Sequence, residues 1–257
     1  MKKTTIIDKA QIELRNPILI EGFPGLGMVG KIAVEYLSRQ LKAHKLAELY
    51  SPHYAYYVLV DHNGSVRLLQ SEFDYWINKN SKNDLIFLTG DSQPQTIEGQ
   101  YEVADTILEF AKRKTVQKVI TIGGYRKDAD GNPSVFVSST SPILLDNALE
   151  CGAKHSPAGN PIVGTAGLLL GLSSYKDIEA MCLLAETPGY LPDPKGAKSV
   201  LEILLKILKI DTNLSGLDKE IQKSKKVAEK IKKIGDQMKF SERRRQKIED
   251  EKVTYIS

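Results

Sequence analysis

The sequence predicts an α/β domain over residues 1–210, a three-layer sandwich on a mixed, mostly parallel sheet, with a long charged helix over residues 211–257. Three observations predict it. Short apolar runs alternate with segments of helical period along the first 210 residues. The segment between two of those runs, about residues 96–114, has the length of a βαβ crossover, which makes the flanking strands parallel. After Ile210 the pattern changes to a heptad-like stripe set among Lys and Glu.

Taken in order, Pro17-Ile18-Leu19-Ile20-Glu21 reads as a buried strand, followed by a glycine turn and an amphipathic helix over about residues 28–41. Residues 46–50 form the next strand. Residues 54–60 and 66–70 make a hairpin around Asn63-Gly64, a pair suited to a type I′ turn. Residues 84–90 and 119–124 are buried strands joined by the helix over 96–114. Residues 178–185 give a further strand and 197–208 a helix. The uncharged run from 156 to 175 is broken by Pro157, Gly159, Pro161, Gly164, Gly167 and Gly171, so it reads as a buried glycine-rich core segment, not a membrane span. In the tail, Leu214, Leu217, Ile221, Val227, Ile231, Ile234 and Met238 recur at spacings near 3 and 4. Of these, Leu217, Ile221, Ile231, Ile234 and Met238 are the expected residues for oligomerisation or helix packing. A helix over about residues 216–252 is on the order of 55 Å long.

The charge is placed unevenly. Residues 211–257 hold 13 Lys and Arg against 9 Asp and Glu, and the preceding 210 residues hold 23 of each. The net charge of +4 therefore belongs to the tail. Its one basic run, Arg243-Arg244-Arg245, is flanked by Glu242, Glu249, Asp250 and Glu251, which blunts phosphate binding and argues against nucleic acid as a partner. No apolar stretch follows Met1-Lys2-Lys3, so no signal peptide is expected, and two cysteines form neither a disulfide framework nor a metal set. The economical location is the cytoplasm.

The turn Gly22-Phe23-Pro24-Gly25-Leu26-Gly27-Met28-Val29-Gly30-Lys31 admits two enzyme readings. Gly25, Gly27 and Gly30 fit the dinucleotide fingerprint between a strand and a helix, and Glu48 stands 18 residues past Gly30, about where a ribose-binding acid belongs. Gly25 to Lys31 also has Walker A spacing, but Ile32 replaces the hydroxyl that ligates magnesium. Against both, Pro24 removes an N–H donor, and glycines at such a turn also let a helix close onto a sheet. His44, His53, His62 and His155 lack metal-ligand spacing, Cys182 lies inside an apolar strand, and no Gly-x-Ser-x-Gly elbow occurs. The reading is therefore no catalytic residue, no metal and no cofactor, with nucleotide binding at the glycine turn as the alternative. Any pocket is expected near the strand ends at Asp91-Ser92 and Gly123-Gly124-Tyr125-Arg126.

Four segments together resemble the proteasome assembly chaperone family in its archaeal-type form: Ile20-Glu-Gly-Phe-Pro-Gly-Leu-Gly-Met-Val-Gly30, Gly123-Gly124-Tyr125, Gly164-x-x-Gly-Leu-Leu-Leu-Gly171, and Glu186-Thr-Pro-Gly-Tyr-Leu-Pro-Asp-Pro194. The resemblance implies one α/β domain of nucleoside-phosphorylase-like fold without a catalytic centre, and self-association into homo-oligomers. It also implies binding of the proteasome α-subunit ring by a C-terminal tail that ends in a hydrophobic-Tyr-any motif. The chain ends Val253-Thr254-Tyr255-Ile256-Ser257, with Tyr255 one place earlier than in that motif. These five residues are the expected partner-binding site.

Overall fold

The structure is a computed structural model that describes residues 1–127, 131–227 and 229–230. The chain divides into two units, Met1–Leu214 and Ser215–Ser257. In the second, residues 215–227 are helical, Leu217 is buried and Ile221 half-buried. Ile231, Ile234, Met238 and the tail residues Val253, Thr254, Tyr255, Ile256 and Ser257 lie outside the described residues.

The first unit runs β1 (Thr5–Asp8), β2 (Ile18–Glu21), α1 (Val29–Gln40), β3 (His44–Tyr50), β4 (Val58–Val60), β5 (Val66–Leu68), β6 (Ser71–Trp76), β7 (Leu85–Gly90), α2 (Ile97–Arg113), β8 (Lys118–Arg126), β9 (Val135–Ser139), α3 (Pro142–Glu150), β10 (Lys154–His155), α4 (Thr165–Ser173), β11 (Glu179–Thr187) and α5 (Pro194–Leu208). Nine strands form one sheet in the order β1-β3-β6-β7-β2-β8-β11-β9-β10, and β4 and β5 form a separate hairpin.

The sheet is mixed, and its pairings divide evenly. Four are parallel and four antiparallel, so the expectation of a mostly parallel sheet is corrected. The parallel block is β7-β2-β8-β11 at the centre. Those four strands read as apolar runs because helices cover both faces. The antiparallel β6, Ser71-Glu-Phe-Asp-Tyr-Trp76, escaped the sequence reading because its acidic residues alternate with one buried row.

Helices α2 and α4 pack together on one face, and α1 packs with α5 on the other, beside α3. On the first face Val103, Ala104, Ile107, Leu108 and Ala111 of α2 cluster with Leu19, Ile86, Leu88 and Val119 of the strands. Helix α2 starts where Thr96 accepts a hydrogen bond from the Gly99 N–H. Helix α5 starts a turn earlier than residue 197, because Asp193 accepts from the Lys195 and Gly196 N–H groups and Pro194 pre-sets the first helical φ.

Two further expectations change. The segment 156–175 is not a buried core: its first half is mostly exposed loop, and α4 buries only Thr165, Leu169 and Ser173. Uncharged residues there cover the sheet from outside. The hairpin turn at Asn63-Gly64 is not type I′, since only Gly64 has positive φ (81°). The Gly64 N–H donates to Asp61 O, and the Asp61 N–H to Ser65 O, a turn closed by a left-handed glycine bulge. Among the described residues no helix is long and apolar enough to cross a membrane.

Candidate functional site

Strand β2 ends opposite Thr121 of β8, while β8 and β11 run on together to Arg126 and Thr187, so the turn that follows β2 meets these extensions. After Glu21 the chain makes the glycine turn, in which residues 26–28 form a single 3-10 turn before α1. The glycines of this turn serve close approach. A Cβ on Gly30 would stand 2.2 Å from Ile122 O, and one on Gly22 2.2 Å from Gly30 O. Gly27 has φ +59°, and a Cβ there would meet Thr187 Oγ1 at 2.4 Å. Of these glycines, Gly25 alone has room for a Cβ, which would meet Gln93 Nε2 at an ordinary 3.8 Å.

Five of the turn's amides are hydrogen-bonded within the protein. The Gly22 N–H donates to Leu88 O, Gly27 to Gly189 O and Met28 to Gly25 O. Val29 donates to Leu26 O, and Phe23 to the Glu21 carboxylate. Lys31 Nζ is held by Gly90 O and Glu35. Glu48 is not brought to the turn: β3 is separated from β2 by β6 and β7, and Glu48 pairs with Lys9 at 2.8 Å and accepts from Tyr50 Oη. Gly25, Gly27, Gly30 and Glu48 thus do not form one dinucleotide cradle, because the strand that follows α1 does not lie next to β2.

A cavity of about 600 Å³ opens beside the turn. Its walls are Glu21 and Phe23 from β2 and the turn, residues 122–126 of β8, Leu184 of β11, and the loop 160–164 that leads into α4. Gln93, just past β7, ties the walls together. Its Nε2 donates to Pro24 O at 2.7 Å, and its Oε1 accepts from the Thr165 N–H at 3.1 Å. Thr165 Oγ1 in turn donates to Gln100 Oε1 at 2.9 Å. Tyr125 packs edge-on against Phe136, and its hydroxyl accepts from Asn160. The guanidinium of Arg126 lies 5.0 Å from the centre of the Tyr190 ring.

Of the two loops expected to flank a pocket, the one at Gly123-Gly124-Tyr125-Arg126 does so. Asp91 serves the hairpin instead, accepting from Arg67 at 2.5 and 3.0 Å and from the Gln70 N–H. Burial opposes the charge on Asp91, but these donors hold its carboxyl below the usual range. Cys182 is fully buried, and burial pushes its thiol up to about 12. His53 bonds Glu102 and Thr96, and the His44 ring lies 5.8 Å from that of Tyr75, tilted by 45°. Among the described residues no group of three or more His, Cys, Asp or Glu can hold a metal ion.

The site residue that the sequence reading passed over is Glu21. It is 0% exposed, and its Oε1 accepts from the Phe23 N–H at 3.1 Å. Burial, opposed only by that hydrogen bond, pushes its carboxyl up to about 8. In register across the sheet it stands beside Thr121, which stands beside Cys182. The available signal was an acid closing an otherwise apolar strand.

All four sequence segments that carry the resemblance meet here. Asp193 N–H donates to Gly27 O at 2.7 Å, joining the last segment to the first, and a Cβ on Gly124 would stand 2.5 Å from Leu26 O. Gly164 sits against Gln93 at the start of α4, with φ +86°. The PAC2 family model matches residues 19–232, which includes every one of these segments. The chain belongs to the PAC2 family. It is 34% identical over 226 residues to an uncharacterized protein of Methanocaldococcus jannaschii, covering 88% of this chain and 86% of that one. Among solved structures, it is similar to Pyrococcus furiosus PbaB, an archaeal proteasome activator, with 37% identity and a TM-score of 0.86 over 90% of this chain and 100% of that one. It is also similar to P. furiosus PbaA, an archaeal homolog of proteasome-assembly chaperone, with 26% identity and a TM-score of 0.74 over 99% and 100% of the two chains. The motifs that mark this PAC2 chain are therefore the ones that knit the ends of its central strands.

Proposed function

We propose that the chain is a non-enzymatic, homo-oligomeric chaperone or adaptor that binds proteasome α-subunits through its C-terminal tail, in assembly or in ATP-independent activation. The observation that carries this reading is the similarity to PbaB, which extends over the whole of that proteasome activator. The internally bonded amides of the glycine turn support a binding protein over a nucleotide-dependent enzyme. The mixed sheet with helices on both faces supports a nucleoside-phosphorylase-like body, used here as a platform. In this reading the binding residues are Val253, Thr254, Tyr255, Ile256 and Ser257 of the charged C-terminal tail.

Self-association has support in the β4–β5 hairpin. Its register pairs Val58 with Leu68 and Val60 with Val66, which puts four aliphatic side chains on one face. All four are exposed, as are Tyr56 and Tyr57 just before β4. An isolated two-stranded hairpin is marginal in water, so an apolar face of this kind gains from being covered by a partner. Several tails from one oligomer engaging one ring would multiply a modest affinity by avidity.

The test is surface-plasmon-resonance binding to immobilised proteasome α-rings, comparing the intact chain with one ending at Lys252. Binding that disappears on truncation is the expected result. Equal binding by both moves the contact to the body or helix, and binding by neither overturns the proposal.

A further inference from the structure

A second cavity, of about 330 Å³, opens at the opposite end of the central strands, where β2, β7 and β8 begin. Strand register fixes its floor. Leu85, Ile18, Lys118 and Glu179 stand side by side across β7, β2, β8 and β11. Ile120 and Met181 form the next row on the same face, since side chains alternate along a strand. All of these except Glu179 line the cavity, and Leu144 of α3 and Ile207 of α5 cover them. Lys118 therefore adjoins the apolar floor directly, beside Ile18 in register and one pleat from Ile120.

The charge is out of keeping with this setting. Lys118 is half-buried, and its ammonium has no hydrogen bond or ion pair with any described residue. Its register neighbour Glu179 accepts from Ser141 Oγ instead and does not line the cavity. A partly desolvated cation without a counter-ion costs stability, which a bound anion would return. No acidic residue lines the cavity, and the other lining charge, Lys209 at the end of α5, is also positive. A lysine that only reached past apolar surface to water would leave the cavity indifferent to a ligand's charge. The lining is aliphatic, with no aromatic ring to stack on a flat ligand. One ammonium suits a single negative charge, because a dianion would also meet the Glu179 carboxylate beside it. The volume is at the small end of small-molecule sites, which are mostly apolar with a few placed polar groups.

We propose that this cavity binds a short aliphatic carboxylate, its chain over Ile120 and Met181 and its carboxylate at Lys118. The site is separate from the tail and stands or falls independently of proteasome binding.

Probes that share one alkyl chain and differ in head group test it by methyl NMR titration of the full chain at neutral pH. Octanoate carries the carboxylate, octan-1-ol a neutral head, octylamine a cation and octyl phosphate a more highly charged anion. The expected result is saturable shifts of the Ile120 and Met181 methyl signals with octanoate, with a Kd of about 1 mM or below for a ligand of this size. Octan-1-ol should bind about fivefold or more weakly, the difference a charge-assisted contact makes, and octylamine more weakly still. Octyl phosphate should bind no more tightly than octanoate. Lys118→Met, which keeps an apolar stem, should erase the preference for the acid without weakening octan-1-ol. Lys118→Arg should retain the preference and shows that the site survives substitution. Equal affinity for octanoate and octan-1-ol, no saturable shift with either, or an acid preference that persists in Lys118→Met would each overturn the proposal. So would tighter binding of octylamine or octyl phosphate. The order of head groups in the unsubstituted chain decides the matter even where a variant fails to fold.

Discussion

Replacing Glu21 by glutamine removes a carboxyl whose proton the fold holds against neutral solvent. In the unfolded chain the group titrates at 4.5, and in the folded one at about 8. Between those values the native state binds one more proton than the unfolded state, so stability falls as pH rises through the window. The contribution is whole below about pH 4.5 and lost by about pH 8. Each unit above 4.5 costs about 1.4 kcal/mol, which gives about 3 kcal/mol at pH 7 and under about 1 kcal/mol at pH 5. Glutamine is neutral throughout and accepts the same Phe23 hydrogen bond, so any contact it gains or loses is independent of pH. The expected outcome is a variant more stable than the parent by an amount that grows by about 2–3 kcal/mol from pH 5 to pH 7. For a chain of this size that corresponds to a relative Tm gain of roughly 5–10 °C over the same interval. Urea denaturation and calorimetry at the two pH values measure it. Stability curves for parent and variant that stay parallel across this range would refute the assignment of a buried, protonated Glu21.

Three further outcomes follow from particular contacts. Asp84 is 1% exposed and accepts from the Arg15 N–H, the Arg15 guanidinium and the Asn78 N–H; burial opposes its charge, but these donors hold its carboxyl below the usual range. Asp84→Ala should cost about 3 kcal/mol at pH 7 in urea denaturation and flatten the parent's loss of stability as pH falls below 3.8, while an unchanged acid limb would count against the network. Gly30→Ala pushes a methyl group into the Ile122 carbonyl and should destabilise by about 3 kcal/mol, whereas Gly25→Ala should stay within about 0.5 kcal/mol; equal effects on Tm would contradict the packing role of the turn. Val60→Lys with Val66→Lys charges the exposed hairpin face and should lower the molecular mass measured by light scattering; an unaltered oligomer would move self-association elsewhere.

Much of the central block was legible because both faces of its strands are covered. Residues 18–21, 85–90, 118–126 and 179–187 show apolar runs, and α1, α2 and α5 show clear one-sided periods. The outer strands were not legible in the same way. β6 buries one side only, and β9 and α3 carry too little contrast between faces to stand out. Helix α4 was hidden by the opposite effect: its Leu168-Leu169-Leu170 run is apolar all round, so no period marks it, and it lies partly exposed against the sheet. At the site, Gly22 to Gly30 stood out as a motif, but the pattern alone left packing and phosphate binding as rivals.

Composition and local pattern by themselves determined the α/β class, the neutral body with its charged tail, and the segments that mark the family. Those properties depend on residue type and on neighbours within a few positions, which a linear reading contains. Tertiary structure alone decided that β3 sits away from β2, which strands Glu48, and that the amides of Gly22, Gly27 and Met28 bond to Leu88, Gly189 and the turn itself. It also decided that Glu21 ends in a cavity with one oxygen unpaired. Strand order and the partners of a buried polar atom are long-range facts, set by which surfaces meet when the core closes.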